Sequence, residues 1–175
     1  MAIREILVEG DPVLNKRCHR VTKFDEKLSH LLDDLRETLE EAKGLGLAAP
    51  QVGILRRAAV VVVDIDTGEM VELINPEIIA QSGEQNGLEG CLSIPGMWGY
   101  VKRPTWVKVR AQDREGSWFE TEGSGLAARC FCHELEHLEG HMYDEHVDRL
   151  YTSEEMDAIL SEEENQGRRR RRRRR

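Results

Sequence analysis

The stretch Cys-His-Glu-Leu-Glu-His-Leu-Glu-Gly-His, residues 132–141, sets two histidines four positions apart with a glutamate directly after the first. On a helix, positions i and i+4 share a face, so His133 and His137 can present two imidazoles to one ion. Glu134 then falls where a general base beside an activated water is wanted. Catalytic sites of this kind generally use three protein ligands and keep one position open. The pattern points to metal-assisted hydrolysis, and the third ligand decides which bond is broken.

Several side chains compete for that place. Cys130 lies on the same stripe, but it is seven residues from His137, roughly 10 Å along a helix axis. Bonds of about 2.0–2.3 Å do not readily span that distance to one ion, so Cys130 reads as a lining residue and Cys132 as pointing away. The protease pattern H-E-x-x-H-x-x-G-x-x-H is met at His133, Glu134, His137 and Gly140, but Tyr143 stands at its last position. His141 and His146 miss the spacing. Glu154 or Glu155 would suit a thermolysin-like site, although carboxylates there are more simply read as favouring a helix N-terminus. Cys91, in Leu-Glu-Gly-Cys-Leu-Ser-Ile-Pro-Gly, can approach a metal closely because Gly90 precedes it. Taken alone, it reads better as a small buried hydrophobe. The residue types leave the third ligand open.

The elements that must position these groups are legible in outline. Residues 25–43 place Leu28, Leu31, Leu32, Leu35 and Leu39 at helical spacing between Asp25 and Gly44, an amphipathic helix with its leucines in the core. The β-branched run at 58–65 reads as a buried strand, Asp66-Thr67-Gly68 as a turn, and 69–79 as a second strand. Residues 105–113 and 118–123 alternate around Arg114–Ser117, a hairpin. A central helix follows with Ser124 as its N-cap. Thr152 and Glu155 form a capping box for a C-terminal helix, with Ser153 as the alternative cap. Helix, strands and helix without βαβ alternation predict an α+β fold, antiparallel sheets packed around the central metal-binding helix. One domain over residues 1–166 is expected.

Bulk properties narrow the class. No window approaches 18 uninterrupted apolar residues, so no membrane span is predicted. The first residues carry Glu5, Glu9 and Asp11 and lack a long apolar stretch, unlike a signal or transit peptide. Cysteines at 18, 91, 130 and 132 show no disulfide framework, which suits a reducing cytoplasm. Of the 25 Lys and Arg side chains, eight form the terminal run 168–175, leaving 17 against 33 acidic groups, a net −16. So acidic a body does not read as a specific nucleic-acid binder. Residues 167–175 are set apart as a disordered or engineered terminus, able to hold polyanions through charge alone.

Three stretches taken together carry a resemblance. Gly-Leu-Gly-Leu-Ala-Ala-Pro-Gln-Val-Gly at 44–53, Glu-Gly-Cys-Leu-Ser at 89–93 and His-Glu-Leu-Glu-His at 133–137 occur in the order and at the separations of bacterial type I peptide deformylases. The opening 3–22 and Gly99–Pro104 resemble that family too, so the likeness spans roughly residues 2–150. It implies removal of the N-formyl group from the initiator methionine of nascent proteins, with release of formate. The alternative reading is a metalloprotease of ordinary peptides.

The resemblance further implies Cys91, His133 and His137 as ligands, Glu134 as acid–base residue, and Gln51 with the Leu92 backbone N–H as oxyanion donors. Leu45, Gly46, Leu126, Arg129 and Cys130 match substrate-binding positions, with Arg129 expected to line the wall by its stem and reach solvent with its head. Glu89 and Arg103 are expected to brace the cysteine loop. Ligand type alone allows zinc; the resemblance implies ferrous iron, with nickel, cobalt or zinc as substitutes. The implied partners are formyl-methionyl nascent peptides and, transiently, the ribosome, with the enzyme a monomer. Many relatives have Gln where this chain has Cys132 and Asp where it has Glu136, which bears on the hydrogen bonding around the ligands.

Overall fold

Asp25 accepts a hydrogen bond from the Leu28 N–H at 3.1 Å and so starts α1 (Glu26–Ala42). Capping satisfies one of the N–H groups that a helix leaves without a partner. Leu28, Leu32, Leu35 and Leu39 are fully buried on one stripe of α1. The computed structural model describes residues 2–174.

The leucine stripe packs on one face of a five-stranded antiparallel sheet, ordered β1 (Gly46–Ala48), β2 (Ala58–Asp64), β3 (Glu69–Ser82), β6 (Trp106–Gln112) and β7 (Trp118–Ser124). The opposite face is covered by α2 (Leu126–Leu138), whose Ala128, Phe131 and Leu135 meet Val61, Leu73, Val107 and Val109. Along β2, Val60 faces α1 and Val61 faces α2. Burial on both faces explains why this strand reads as an unbroken apolar run rather than an alternating one.

A second, three-stranded sheet holds β4 (Gln85–Cys91), β5 (Ile94–Arg103) and β8 (Tyr151–Thr152), in that order. It lies against α2, so this helix is central, as the sequence pattern requires. The β4–β5 hairpin is absent from the pattern because its glycines and proline read as turns. Here the glycines serve close packing. A Cβ on Gly87 would lie 2.8 Å from Arg129, and one on Gly99 2.5 Å from Val147.

Two expectations are corrected. Ser124 does not cap α2; it pairs with Trp106 at the end of β7, and Gly125 is the N-cap with φ +59. The strand runs directly into the helix, and a positive φ at that corner suits glycine. The arginine run, expected to be disordered or engineered, continues α3 (Ser153–Arg173) as helix, which bears on the first alternative alone. Arginine is a good helix former, and Glu164 stands four residues before Arg168, a favourable pairing. Residues 161–174 are exposed throughout and add nothing to the core. Among the described residues no helix is long and apolar enough to cross a membrane.

Candidate metal centre

Cys91 closes β4 where its register with β5 is irregular, and α2 carries His133, Glu134 and His137 on the face toward that hairpin. Cys91 Sγ lies 3.4 Å from His137 Nε2, which lies 3.2 Å from His133 Nε2. Among the described residues these three side chains form the one group whose donor atoms all fall within 4.8 Å of one another. One sulfur and two imidazole nitrogens converging on a point is the donor set of a soft or borderline divalent ion.

The other candidates lie elsewhere. Tyr143 stacks on His133 with ring centroids 5.7 Å apart, and its hydroxyl donates to the Met97 carbonyl. Glu155 pairs with Arg149 at the start of α3. His146 bonds Glu136 at 2.9 Å, and His141 bonds Glu145. Cys132 is buried in the core between α2 and the five-stranded sheet, where burial pushes its thiol up to about 11.

Glu89 fixes the ring of His133, with Oε1 2.9 Å from Nδ1. A carboxylate there accepts a hydrogen bond from Nδ1–H, which keeps the proton on Nδ1 and leaves the Nε2 lone pair to face the cluster. Glu89 is itself clamped by Arg103, whose Nε and Nη2 donate at 2.9 and 3.0 Å, and by Arg129 Nη1 at 2.6 Å. Burial alone would raise its carboxyl, but the hydrogen bonds and charges of His133 and Arg103 hold it down at about 2. Burial opposes charge on His133 too, yet Cys91 and Glu89 push it up to about 10, holding a proton that a divalent ion at Nε2 would displace, while burial and the neighbouring His133 charge drive His137 well down.

Arg129 departs from expectation. Its head does not reach solvent but is buried, donating to Glu89 and to the Val101 carbonyl. A buried guanidinium needs such partners, and Glu89 supplies the charge.

Glu134 is 3% exposed, and burial with the Glu89 charge lifts it to about 7, with His133 opposing. Gly46 is required beside it, because a Cβ there would sit 2.5 Å from Glu134 Oε1. The role expected of Gly46 toward a substrate backbone is joined by this contact with the acid–base candidate. Gln51 is buried; its Oε1 accepts from the Ala48 N–H at 2.9 Å, which turns Nε2 toward Ser93 Oγ at 3.1 Å and Cys91 Sγ at 3.7 Å. The sequence assigns no role to Ser93, Tyr143 or Trp98. Ser93 alone had a visible signal, its position two residues after Cys91.

A cavity of about 520 Å³ joins these groups, lined by Leu45, Gly46, Gln51, Cys91, Leu92, Leu126, Arg129, Cys130, His133 and Glu134. Every expected site residue except His137 reaches it. His137 stands behind the cavity wall, 1% exposed.

The family model of polypeptide deformylases matches residues 3–153. This chain belongs to that family. It is 55% identical over 148 residues to the peptide deformylase of Agathobacter rectalis, covering 85% of this chain and 92% of the relative. A crystal structure of a peptide deformylase from Legionella pneumophila superposes with a TM-score of 0.80 at 42% identity, over 84% of this chain and 87% of that one. The peptide deformylase of Ehrlichia chaffeensis in complex with actinonin superposes at 0.81 and 33% identity, over 85% and 91%. The deformylase family implies a metal ion, and the Cys91–His133–His137 cluster fits one. At one of the two departures from many relatives, Glu136 Oε1 accepts from Arg103 Nη1 at 2.6 Å and also meets His146.

Proposed function

We propose that this enzyme hydrolyses the formyl amide at the N-terminal methionine of nascent polypeptides, releasing formate and a free amine. The observation that carries the reading is the convergence of Cys91, His133 and His137 at one wall of the cavity, with Glu134 beside them. The catalytic unit spans residues 1–166, works as a monomer in the bacterial cytoplasm and meets its substrate transiently at the ribosome, without reading any nucleic-acid sequence.

Cys91, as thiolate, and His133 and His137, as neutral imidazoles, hold one divalent ion, natively ferrous iron, with nickel, cobalt or zinc as substitutes. When bound, the ion supplies Lewis-acid activation of water near neutral pH. Glu134 accepts the proton of the attacking water as its oxygen adds to the formyl carbon, then delivers it to the departing nitrogen as the C–N bond breaks. A carboxyl lifted to about 7 by burial is matched to both transfers. The developing oxyanion takes hydrogen bonds from Gln51 Nε2 and the Leu92 backbone N–H; such a donor is generally worth about 10²–10³ in turnover. Gly46 and Leu45 run beside the substrate backbone, while Leu126, Arg129 and Cys130 form the wall for the methionine side chain.

Anaerobic removal of metal by a chelator, followed by reloading with iron, nickel, cobalt or zinc, tests this assignment. Formate release from a formyl-methionyl peptide should vanish and return with the ion at one equivalent per chain. Cleavage of internal peptide bonds without formate release would overturn it in favour of an ordinary metalloprotease.

A further inference from the structure

The deep end of the cavity and its rim differ in chemistry. Arg129, Cys130, His133 and Glu134 are all at most 9% exposed, whereas Trp98 and Leu126, which line the same cavity, are 38% and 42% exposed. A formyl group held at the metal cluster leaves the methionine inside, so the residue after it must pass between these apolar lips.

Trp98 is held there from three sides. Its six-membered ring lies on Gly90, where a Cβ would stand 2.5 Å from ring carbon Cζ3. Its Nε1–H donates to Ser153 Oγ at 3.2 Å. Its backbone pairs with Tyr151 in β8, as Met97 does with Thr152. An exposed indole would ordinarily sample several rotamers, and fixing it beforehand removes an ordering penalty from binding.

We propose that Trp98 is a substrate-positioning residue: a pre-set apolar platform that favours an aromatic or large aliphatic side chain immediately after the formylmethionine, held in place by the C-terminal segment through Tyr151 and Ser153. The inference rests on the deformylase reading and deepens it. The C-terminal segment thereby forms part of the substrate site, although none of it reaches the metal cluster.

The test is steady-state turnover of formyl-Met-X-Ser with X = Phe, Leu, Ala and Asp, for the metal-loaded parent and for Trp98→Ala, Trp98→Phe and Ser153→Ala. The parent should prefer Phe over Ala by roughly five- to tenfold in kcat/KM, the scale of one aromatic contact. Trp98→Ala should bring that ratio near one, with the loss falling on KM rather than kcat. Trp98→Phe should restore most of it, and Ser153→Ala should fall between. A parent without the preference overturns the proposal, as does a Trp98→Ala enzyme that keeps it or loses kcat equally on every peptide. A Ser153→Ala enzyme identical to the parent overturns the tether. A parent that releases no formate from any peptide would instead sink the deformylase reading itself.

Discussion

Glu89 Oε1 lies 2.9 Å from Nδ1 of His133, and the same carboxylate receives two hydrogen bonds from Arg103. One buried acid thus ties a ligand candidate on α2 to the hairpin that carries Cys91. Removing the one partner of a buried charge costs about 3–5 kcal/mol, but Glu89 would keep Arg129 and His133. Arg103→Ala should therefore lower stability by less than that amount in denaturant unfolding and weaken metal retention by about 10–100-fold, measured by competition with a chelator. An unaltered unfolding midpoint and metal affinity would show that the clamp is incidental.

Glu134→Gln should keep fold and metal content while turnover drops by about 10²–10⁴, because an amide cannot accept the water proton. Circular dichroism, metal analysis and formate release together check this. Turnover within tenfold of the parent would remove Glu134 from the proton transfers.

Gly46→Ala should act through Glu134, since the added Cβ would fall 2.5 Å from its Oε1. A displacement of about 1 Å in a reacting group can lower the rate by about 10²-fold. The expected result is a loss in kcat with metal retained, and full turnover would show that Glu134 can shift without consequence.

Cys91→Ser should strip the metal, because a hydroxyl is a poor replacement for thiolate. Cys18→Ser and Cys132→Ser should leave metal content and turnover near the parent's. Loss of metal from either of those would mean that the wrong cysteine was assigned.

How much of this was visible beforehand depends on which force sets each element. α1 was legible because its burial is one-sided, so its leucines repeat at helical spacing. The Arg114–Ser117 hairpin was legible from alternation. The β4–β5 hairpin was not, because Gly87, Gly90 and Gly99 are there to admit Arg129, Trp98 and Val147, and side-chain partners far along the chain leave no local pattern. The buried head of Arg129 escaped for the same reason: its partner Glu89 is 40 residues away. The ligand pair was legible because both histidines share one helix, whereas Cys91 became identifiable only through its surrounding motif.

Acid stability should respond to Glu72, which accepts from Arg36 and Arg114. Burial alone would raise this carboxyl, but the two guanidinium groups hold it below its ordinary 4.5. A depressed folded pKa stabilises the protein above the unfolded value, and that contribution is lost as pH falls toward the folded one. Glu72→Gln should lower Tm at neutral pH, and the gap to the parent should close as pH drops below about 4.5. A gap independent of pH would assign the effect to packing alone.

The claim that this enzyme cleaves a formyl amide is tested most directly by formate release from formyl-Met-Ala-Ser beside acetyl-Met-Ala-Ser, under anaerobic conditions with measured metal. Formate should appear in step with free methionyl amine from the first peptide, while the acetyl analogue and unmodified peptides remain intact. Cleavage of unmodified peptides with no formate from the formylated one would contradict the assignment.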